Sequence, residues 1–117
     1  MINTQNLSVY ILRIAKLEMI DAIDILYSTF NKDNFIITLK RISLLLDDSI
    51  SQITDSNIKD NIVYMNNIIL SIINEISPLS VHKIDSLKAN IISVIYACIN
   101  DISIYDRLLT LKIQYSK

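Results

Sequence analysis

Apolar residues recur along this chain at alternating intervals of three and four positions, and the most regular series lies in its middle. Six large side chains there follow one another at intervals of four, three, four, three and four, which places them on one stripe of a helix. Lys59, Asp60, Asn67 and Asn74 fall on the opposite side. A stripe this regular needs partner helices along its whole length, so we predict a central helix over residues 57–76. The stripe consists of Ile58, Ile62, Met65, Ile69, Ile72 and Ile76.

Two helices of the same kind precede the central one. The spacing predicts the first over residues 5–30 and the second over residues 34–53. Their predicted inward residues are Leu12, Ala15, Met19, Ala22, Leu26 and Phe30 in the first helix, and Phe35, Leu39, Ile42, Leu46, Ile50 and Ile53 in the second.

The turns Asn-Lys-Asp-Asn and Thr-Asp-Ser-Asn separate these helices and supply candidate caps. Such side chains accept hydrogen bonds from the free N–H groups at the start of a helix. We therefore expect Asp33 or Asn34 to cap the second helix, and Ser56 or Asn57 to cap the third.

The single proline, Pro78, ends the third helix, because proline inside an α-helix loses a hydrogen bond and clashes with the preceding turn. Proline suits the first position of a helix, so a fourth helix with Ser77 as its cap begins at Pro78 or, more loosely, near Lys83. Its predicted inward residues are Ile84, Leu87, Ile91, Val94 or Ile95, Cys98 and Ile102.

Ser103 followed by Asp106 has the spacing of a capping box and favours a break or kink at residues 101–103. A short fifth helix would then begin there, and the alternative is one unbroken helix over residues 78–114. Short turns force neighbouring helices antiparallel. We predict an all-α fold, a single domain over residues 1–117 that forms an up-down four-helix bundle with a short fifth C-terminal helix. The apolar face of that fifth helix would be Ile104, Leu108, Leu111 and Tyr115.

Composition changes this picture in one respect, because the apolar fraction of 51% and mean hydropathy of +0.39 raise the question of a membrane. The longest uncharged interior run lies between Asp60 and Glu75 and contains several Asn residues, whereas a span needs about 18 predominantly apolar residues. We predict no transmembrane segment, no secretory signal and a cytoplasmic location. A net charge of −1 without runs of like charge argues against a nucleic-acid partner.

Candidate chemistry is sparse. The chain has no glycine, which excludes Gly-rich phosphate loops and nucleophile elbows. His82 is the only histidine and lacks a second ligand for zinc, and the His-x-Leu-Lys-Gly pattern of phosphotransfer bundles is missing around it, so we expect a surface histidine. Cys98 falls on the apolar stripe of the fourth helix and is expected to be a buried, inert thiol. We predict no enzymatic activity, no cofactor and no metal site.

Apolar residues exceed what a four-helix core needs, chiefly in the first and fourth helices. Surplus apolar surface marks interaction sites, so we predict a protein–protein interaction module that binds a helical segment of a partner in an apolar groove. The alternative is a structural homodimer whose surplus apolar face pairs with itself. The candidate partner-binding face consists of Tyr10, Ile11, Ile20, Ile92, Tyr96 and Ile99.

Two stretches carry a resemblance to a known family. Phe30-Asn31-Lys32-Asp33-Asn34-Phe35 ends the first helix and starts the long second one, and Asn61-Ile62-Val63-Tyr64-Met65 opens the third. In these stretches and in the order and length of its helices, the chain resembles the flagellar secretion chaperones, although their Leu-Tyr-Asp-Gly signature is absent from the first helix. The resemblance implies a small cytoplasmic helical bundle, chaperone-like, that holds a disordered segment of a secreted protein.

Overall fold

The computed structural model describes residues 4–28 and 30–115 of the chain. Four helices make up 89% of these residues, and no strand occurs among them. The helices are α1 (Thr4–Tyr27), α2 (Lys32–Ile50), α3 (Ser56–Ile76) and α4 (Val81–Tyr115). The predicted all-α four-helix fold is confirmed.

Three ion pairs show how the helices run. Arg13 near the start of α1 pairs with Asp106 near the end of α4, and Glu18 of α1 pairs with Arg41 of α2. Lys112 at the end of α4 contacts Asp55 at the start of α3. The pairs with α4 show that α1 and α3 each run antiparallel to α4, and the short turns between α1, α2 and α3 reverse the chain at each step. The bundle measures 53 × 22 × 22 Å, with α4 extending along its full length at about 1.5 Å per residue.

The core lies where the three-four spacing predicts it. All six residues of the central α3 stripe are buried, and so are the first five predicted positions of α1 and the first four of α2. Phe30 and Ile50 are half-buried and pack against the core. Phe30 lies in the turn before α2, because α1 ends at Tyr27 rather than at the predicted residue 30. Burial of a continuous apolar stripe from every helix is the main stabilising contribution to this fold.

The predicted caps and the start of α4 are wrong by one to three residues. The Asn31 side chain caps α2, because its Oδ1 accepts a hydrogen bond of 3.0 Å from the Asn34 N–H. Asp55 caps α3 by accepting from the N–H groups of Asn57 and Ile58. Helix α4 begins at Val81 rather than Pro78 or Lys83, since Ser80 accepts from the Lys83 N–H at 3.3 Å.

The predicted break at residues 101–103 is also wrong, because α4 is one continuous helix of 35 residues. The two members of the apparent capping box make other contacts. The Ser103 hydroxyl donates to the Ile99 carbonyl at 3.0 Å, within the helix, and the Asp106 carboxylate accepts from Arg13 at 2.8 and 3.1 Å. Ile102 is fully buried, so the core stripe passes through the predicted break without interruption.

Candidate functional site: the groove between α3 and α4

The four neighbouring helix pairs are not packed equally. Helix α1 has the most extensive contact with α2, whereas α3 and α4 come close together at few points. Two adjoining pockets of about 180 and 380 Å³ lie between α3 and α4, and both are lined by Val94. Because they share Val94, they lie next to each other along the bundle, and we call the two together the α3/α4 groove.

Most residues that line this groove are apolar, and a few polar residues stand among them. The α3 wall contributes Asn61, Tyr64, Met65, Ile68, Ile72, Glu75 and Ile76, and the α4 wall contributes Leu87, Asn90, Ile91, Val94, Ala97, Cys98, Asp101 and Tyr105. Met65, Ile76, Ile91 and Cys98 are buried and form the floor. Tyr64, Leu87 and Val94 are exposed at the rim, so the groove presents apolar surface to solvent.

Helical spacing explains why these side chains share one wall. On α4, Leu87, Val94 and Asp101 are seven residues apart, which is close to two full turns, so they point in nearly the same direction. On α3, Tyr64, Ile68 and Glu75 are related by intervals of four and seven. The predicted inward residue Leu87 is therefore a groove-wall residue, 36% exposed, rather than a core residue. Of the two alternatives Val94 and Ile95, Ile95 is fully buried and Val94, 37% exposed, lines the groove.

The groove has a negative electrostatic character at its α4 wall. Burial raises the pKa of the Cys98 thiol to about 11, and the negative charge of Asp101 contributes to the same rise. Burial also raises the pKa of the Tyr105 phenol, again with a contribution from Asp101. Cys98 is therefore a protonated, weakly nucleophilic thiol at neutral pH, as the sequence predicted for a buried residue.

The predicted partner-binding face divides into two groups. Tyr10, Ile20 and Tyr96 are 63%, 39% and 48% exposed, and Ile11 is half-buried. Ile92 and Ile99 are buried in the core, so the prediction that they belong to an exposed face is wrong.

The reason lies in the side of α4 on which these two residues sit. Ile92, Ile99 and Asp106 follow one another at intervals of seven and share one side of the helix. Asp106 pairs with Arg13, so this side faces α1. Binding at the remaining positions of the predicted face stays a prediction.

Sequence reasoning missed most of the groove. Tyr64, Ile68, Ala97 and Tyr105 were not assigned to any site, because each is ordinary for a helix when considered alone. The available signal was that Leu87 and Val94, seven residues apart, stand one helical step beside Ile84, Ile91 and Ile95, so α4 has two neighbouring apolar series. A helix with two adjacent apolar series has more apolar surface than its contacts with the core can bury.

Three other features bear on a functional site: the histidine, groups of metal-ligating side chains, and the patches beside α1. His82 is exposed in the first turn of α4, where a surface histidine was expected. Within the described residues, no group of three His, Cys, Asp or Glu side chains lies close enough to hold a metal ion. A concave patch between α1 and α4 is lined largely by charged side chains, including Arg13, Lys16 and Arg107.

One helix in the described part of the chain, α4, is long and apolar enough to span a membrane by length and composition. In its most apolar window 22% of the residues are buried. The sequence prediction considered uncharged runs only, whereas this helix contains Lys88 and Asp101 within an apolar context. The core helix of a soluble protein passes the same test, so the absence of a transmembrane segment and a cytoplasmic location both stay predictions.

Comparison with known proteins gives no further constraint. No protein-family model, no curated protein and no solved structure matches this chain.

Proposed function

We propose that this chain is a non-enzymatic protein-binding bundle that takes an amphipathic helix of a partner protein into the α3/α4 groove as a fifth helix. The observation that carries the proposal is the open contact between α3 and α4, where Tyr64, Leu87 and Val94 are exposed to solvent above a buried apolar floor. An amphipathic helix laid in a hydrophobic groove is a recurrent mode of recognition, and burial of apolar area on both partners drives it.

The shape of the groove favours a helix over an extended peptide. Wall residues recur at three- and four-residue intervals on both sides, and such ridges interlock with the side-chain rows of another helix. From Leu87 to Tyr105 the α4 wall covers 19 residues and about 27 Å, which matches a partner helix of about the same number of residues.

The pocket beside Ala97 offers space for a large side chain of the partner helix. Ala97 leaves space above the Cys98 floor, and Tyr64 and Tyr105 line the same pocket of about 380 Å³. An aliphatic or aromatic side chain of the partner would enter this space between the two rings. The resemblance to flagellar secretion chaperones, which hold a segment of another protein, supports the same chaperone-like class of function.

The test uses two alanines of α4 that are both exposed. Ala97→Arg places a long charged side chain inside the groove, whereas Ala89→Arg places the same side chain where it lines neither pocket of the groove. Helical peptides would be selected from a display library with the wild-type chain and then measured against both variants. We expect at least about a tenfold loss of affinity for Ala97→Arg, equal to about 1.4 kcal/mol, and little change for Ala89→Arg.

Equal binding of the selected peptides to both variants would place their site elsewhere and contradict the proposal. Recovery of no binding peptide would contradict it as well. Melting temperatures of the two variants would be compared first, and Arg is a good helix former, so both should fold.

Self-association is a second candidate function, supported by a different surface. Leu7, Tyr10, Ile14 and Leu17 lie within about 80° of one another on α1 and are 40–63% exposed. Their intervals of three, four and three match a heptad stripe, which suits pairing with another helix. This outer stripe would join two copies of the chain, and light scattering would detect the dimer.

Leu17→Glu is the matched variant, since Leu17 is 62% exposed and its replacement leaves the core intact. We expect the dimer to dissociate in this variant and to persist in Ala97→Arg. A wild-type chain that is monomeric at high concentration would rule out this second function.

A further inference from the structure

The charged side chains that line the α3/α4 groove carry the same sign. Glu75 stands on the α3 wall and Asp101 on the α4 wall, while no Lys or Arg lines either pocket. Neither carboxylate pairs with any described basic residue, in contrast to Glu18, Asp55 and Asp106, which all have basic partners. The groove therefore has two negative charges available to a ligand.

We infer that the partner helix is cationic, with two Lys or Arg residues that flank its apolar stripe and pair with Glu75 and Asp101. This inference rests on the proposed function, because it names the chemistry of the helix that enters the groove. The apolar floor supplies most of the binding free energy, and the two carboxylates select among apolar helices by charge.

The positions of the two carboxylates define the spacing of the basic residues. Glu75 shares its pocket with Asn90, and Asp101 follows Asn90 by eleven residues, about 16 Å along the helix. Eleven residues make about three helical turns, so the two basic residues stand about three turns apart along the partner helix, and a spacing one residue longer or shorter turns the second by about 100° toward the other edge of the apolar stripe. Because the carboxylates stand on opposite walls, the basic residues belong at opposite edges of the apolar stripe.

The negative field already acts on neighbouring groups. The charge of Asp101 adds to burial in raising the pKa of Cys98 and of Tyr105, which line the same pocket. A docked helix would exclude water from this pocket and strengthen the attraction between Asp101 and a cationic side chain. An anionic or neutral helix would leave the carboxylate desolvated without a partner, which disfavours its binding.

The test uses three fluorescent amphipathic peptides of about 18 residues with identical apolar residues. They carry Lys, Gln or Glu at two positions three turns apart, and binding is measured by fluorescence anisotropy. We expect the Lys peptide to bind about three- to tenfold more tightly than the Gln peptide, and the Glu peptide to bind most weakly. The advantage of Lys should shrink as salt is raised.

Protein variants assign the effect to the two carboxylates. Glu75→Gln with Asp101→Asn should bind the Lys and Gln peptides equally, whereas Asp60→Asn, an exposed acid of α3 that lines neither pocket, should retain the Lys preference.

Equal affinity of the Lys and Gln peptides for the wild-type chain would overturn the cationic partner and leave the groove proposal standing. Binding of all three peptides that is unchanged by Ala97→Arg would overturn the groove itself. A Lys preference that persists in the double variant would show that other acids cause it, and would overturn the assignment to Glu75 and Asp101.

Discussion

The α1/α2 pair and the α3/α4 pair use similar apolar stripes and pack to different extents. Helix α1 presents Ala15 and Ala22 to the core, both fully buried, and small residues let two helix axes approach closely. The stripe of α3 contains Ile and Met only, and Tyr64 and Tyr105 stand at the mouth of the α3/α4 groove. The helix with small buried residues therefore belongs to the more closely packed of the two pairs.

Side-chain contacts outside the core also differ between the α1/α2 pair and the α3/α4 pair. Between α1 and α2, the Arg41 Nε and Glu18 Oε2 atoms are 3.2 Å apart. At the turn that joins these two helices, the rings of Phe30 and Phe35 meet edge to face with centroids 5.8 Å apart. The ion pair between α3 and α4, Asp55 with Lys112, lies at one end of the helices. Among the described residues, no ion pair joins the middle of α3 to the middle of α4, and the groove is found there.

The largest effect is expected at the residue that holds α3 to the rest of the bundle. Ile69 is fully buried in the middle of α3, so Ile69→Ala should lower the free energy of unfolding by about 2–5 kcal/mol, through lost transfer energy and a cavity. Asn67 is exposed on the same helix, and Asn67→Ala should change the free energy of unfolding by less than about 0.5 kcal/mol. Urea unfolding measures both. Equal effects would mean that α3 contributes no core of its own.

Cys98 tests whether the groove floor stays closed to solvent. Its pKa of about 11, against an ordinary value of 9.0, leaves about a hundredfold less thiolate at pH 8, and the thiolate is the reactive form. The labelling rate with a thiol reagent should therefore be low in the native state and keep rising with pH beyond 9. Asp101→Asn should lower the pKa and speed labelling. Rapid labelling of the native chain at pH 8 would show that the floor opens.

The same substitution in the two helix pairs sharpens the comparison most directly. Ala15→Leu adds three carbon atoms to a fully buried site and should destabilise the fold by about 1–3 kcal/mol through overpacking. Ala97→Leu places the same atoms in the open groove and should change stability by less than about 0.5 kcal/mol. Thermal unfolding of the two variants measures the difference. Similar losses would mean that the groove is packed as tightly as the α1 contact.

The smallest effect concerns the ion pair between α1 and α4. The hydrogen bond from Arg13 holds the pKa of the Asp106 carboxyl below its ordinary value. A lowered folded-state pKa stabilises the fold above the unfolded value of about 3.9, and this stabilisation is lost as the pH falls through the folded value. Because Arg13 is about half exposed, the contribution should stay below about 1 kcal/mol.

Asp106→Asn should therefore be less stable than the wild type at pH 7, and the difference should shrink below about pH 4. Asp24→Asn is the control, since Asp24 is exposed on α1 and has no ion pair with a described residue. A difference between wild type and Asp106→Asn that is constant from pH 7 to pH 2 would contradict the assignment.

Much of the fold follows from intervals between apolar residues. The stripe from Ile58 to Ile76 specified which face of α3 is buried, and the turns without glycine placed the helix ends to within a few residues. The caps were misassigned because Asn31, Asp55 and Ser80 each have similar polar neighbours. Choosing among adjacent Ser, Asp and Asn residues requires the backbone angles of the turn, which depend on how the next helix docks.

The continuity of α4 also depended on tertiary contacts. Ser103 and Asp106 have the spacing of a capping box, and only the presence of Arg13 opposite Asp106 shows that the carboxylate is used between helices. In the same way, Ile92 and Ile99 have the composition of a surplus face, and their burial follows from the position of α1 beside them.

The sequence by itself determined that the chain folds into antiparallel helices and which face of α1, α2 and α3 is turned inward, because these depend on residue spacing within one helix and on turn length. The groove was decided by the tertiary structure alone. Its existence depends on the distance between α3 and α4, and that distance is set jointly by side chains that are far apart in the chain, such as Met65 and Cys98 at the floor of one pocket. The spacing of residues within one helix does not specify the size of the side chains that face it from another helix, and these side chains determine how closely the two helices pack.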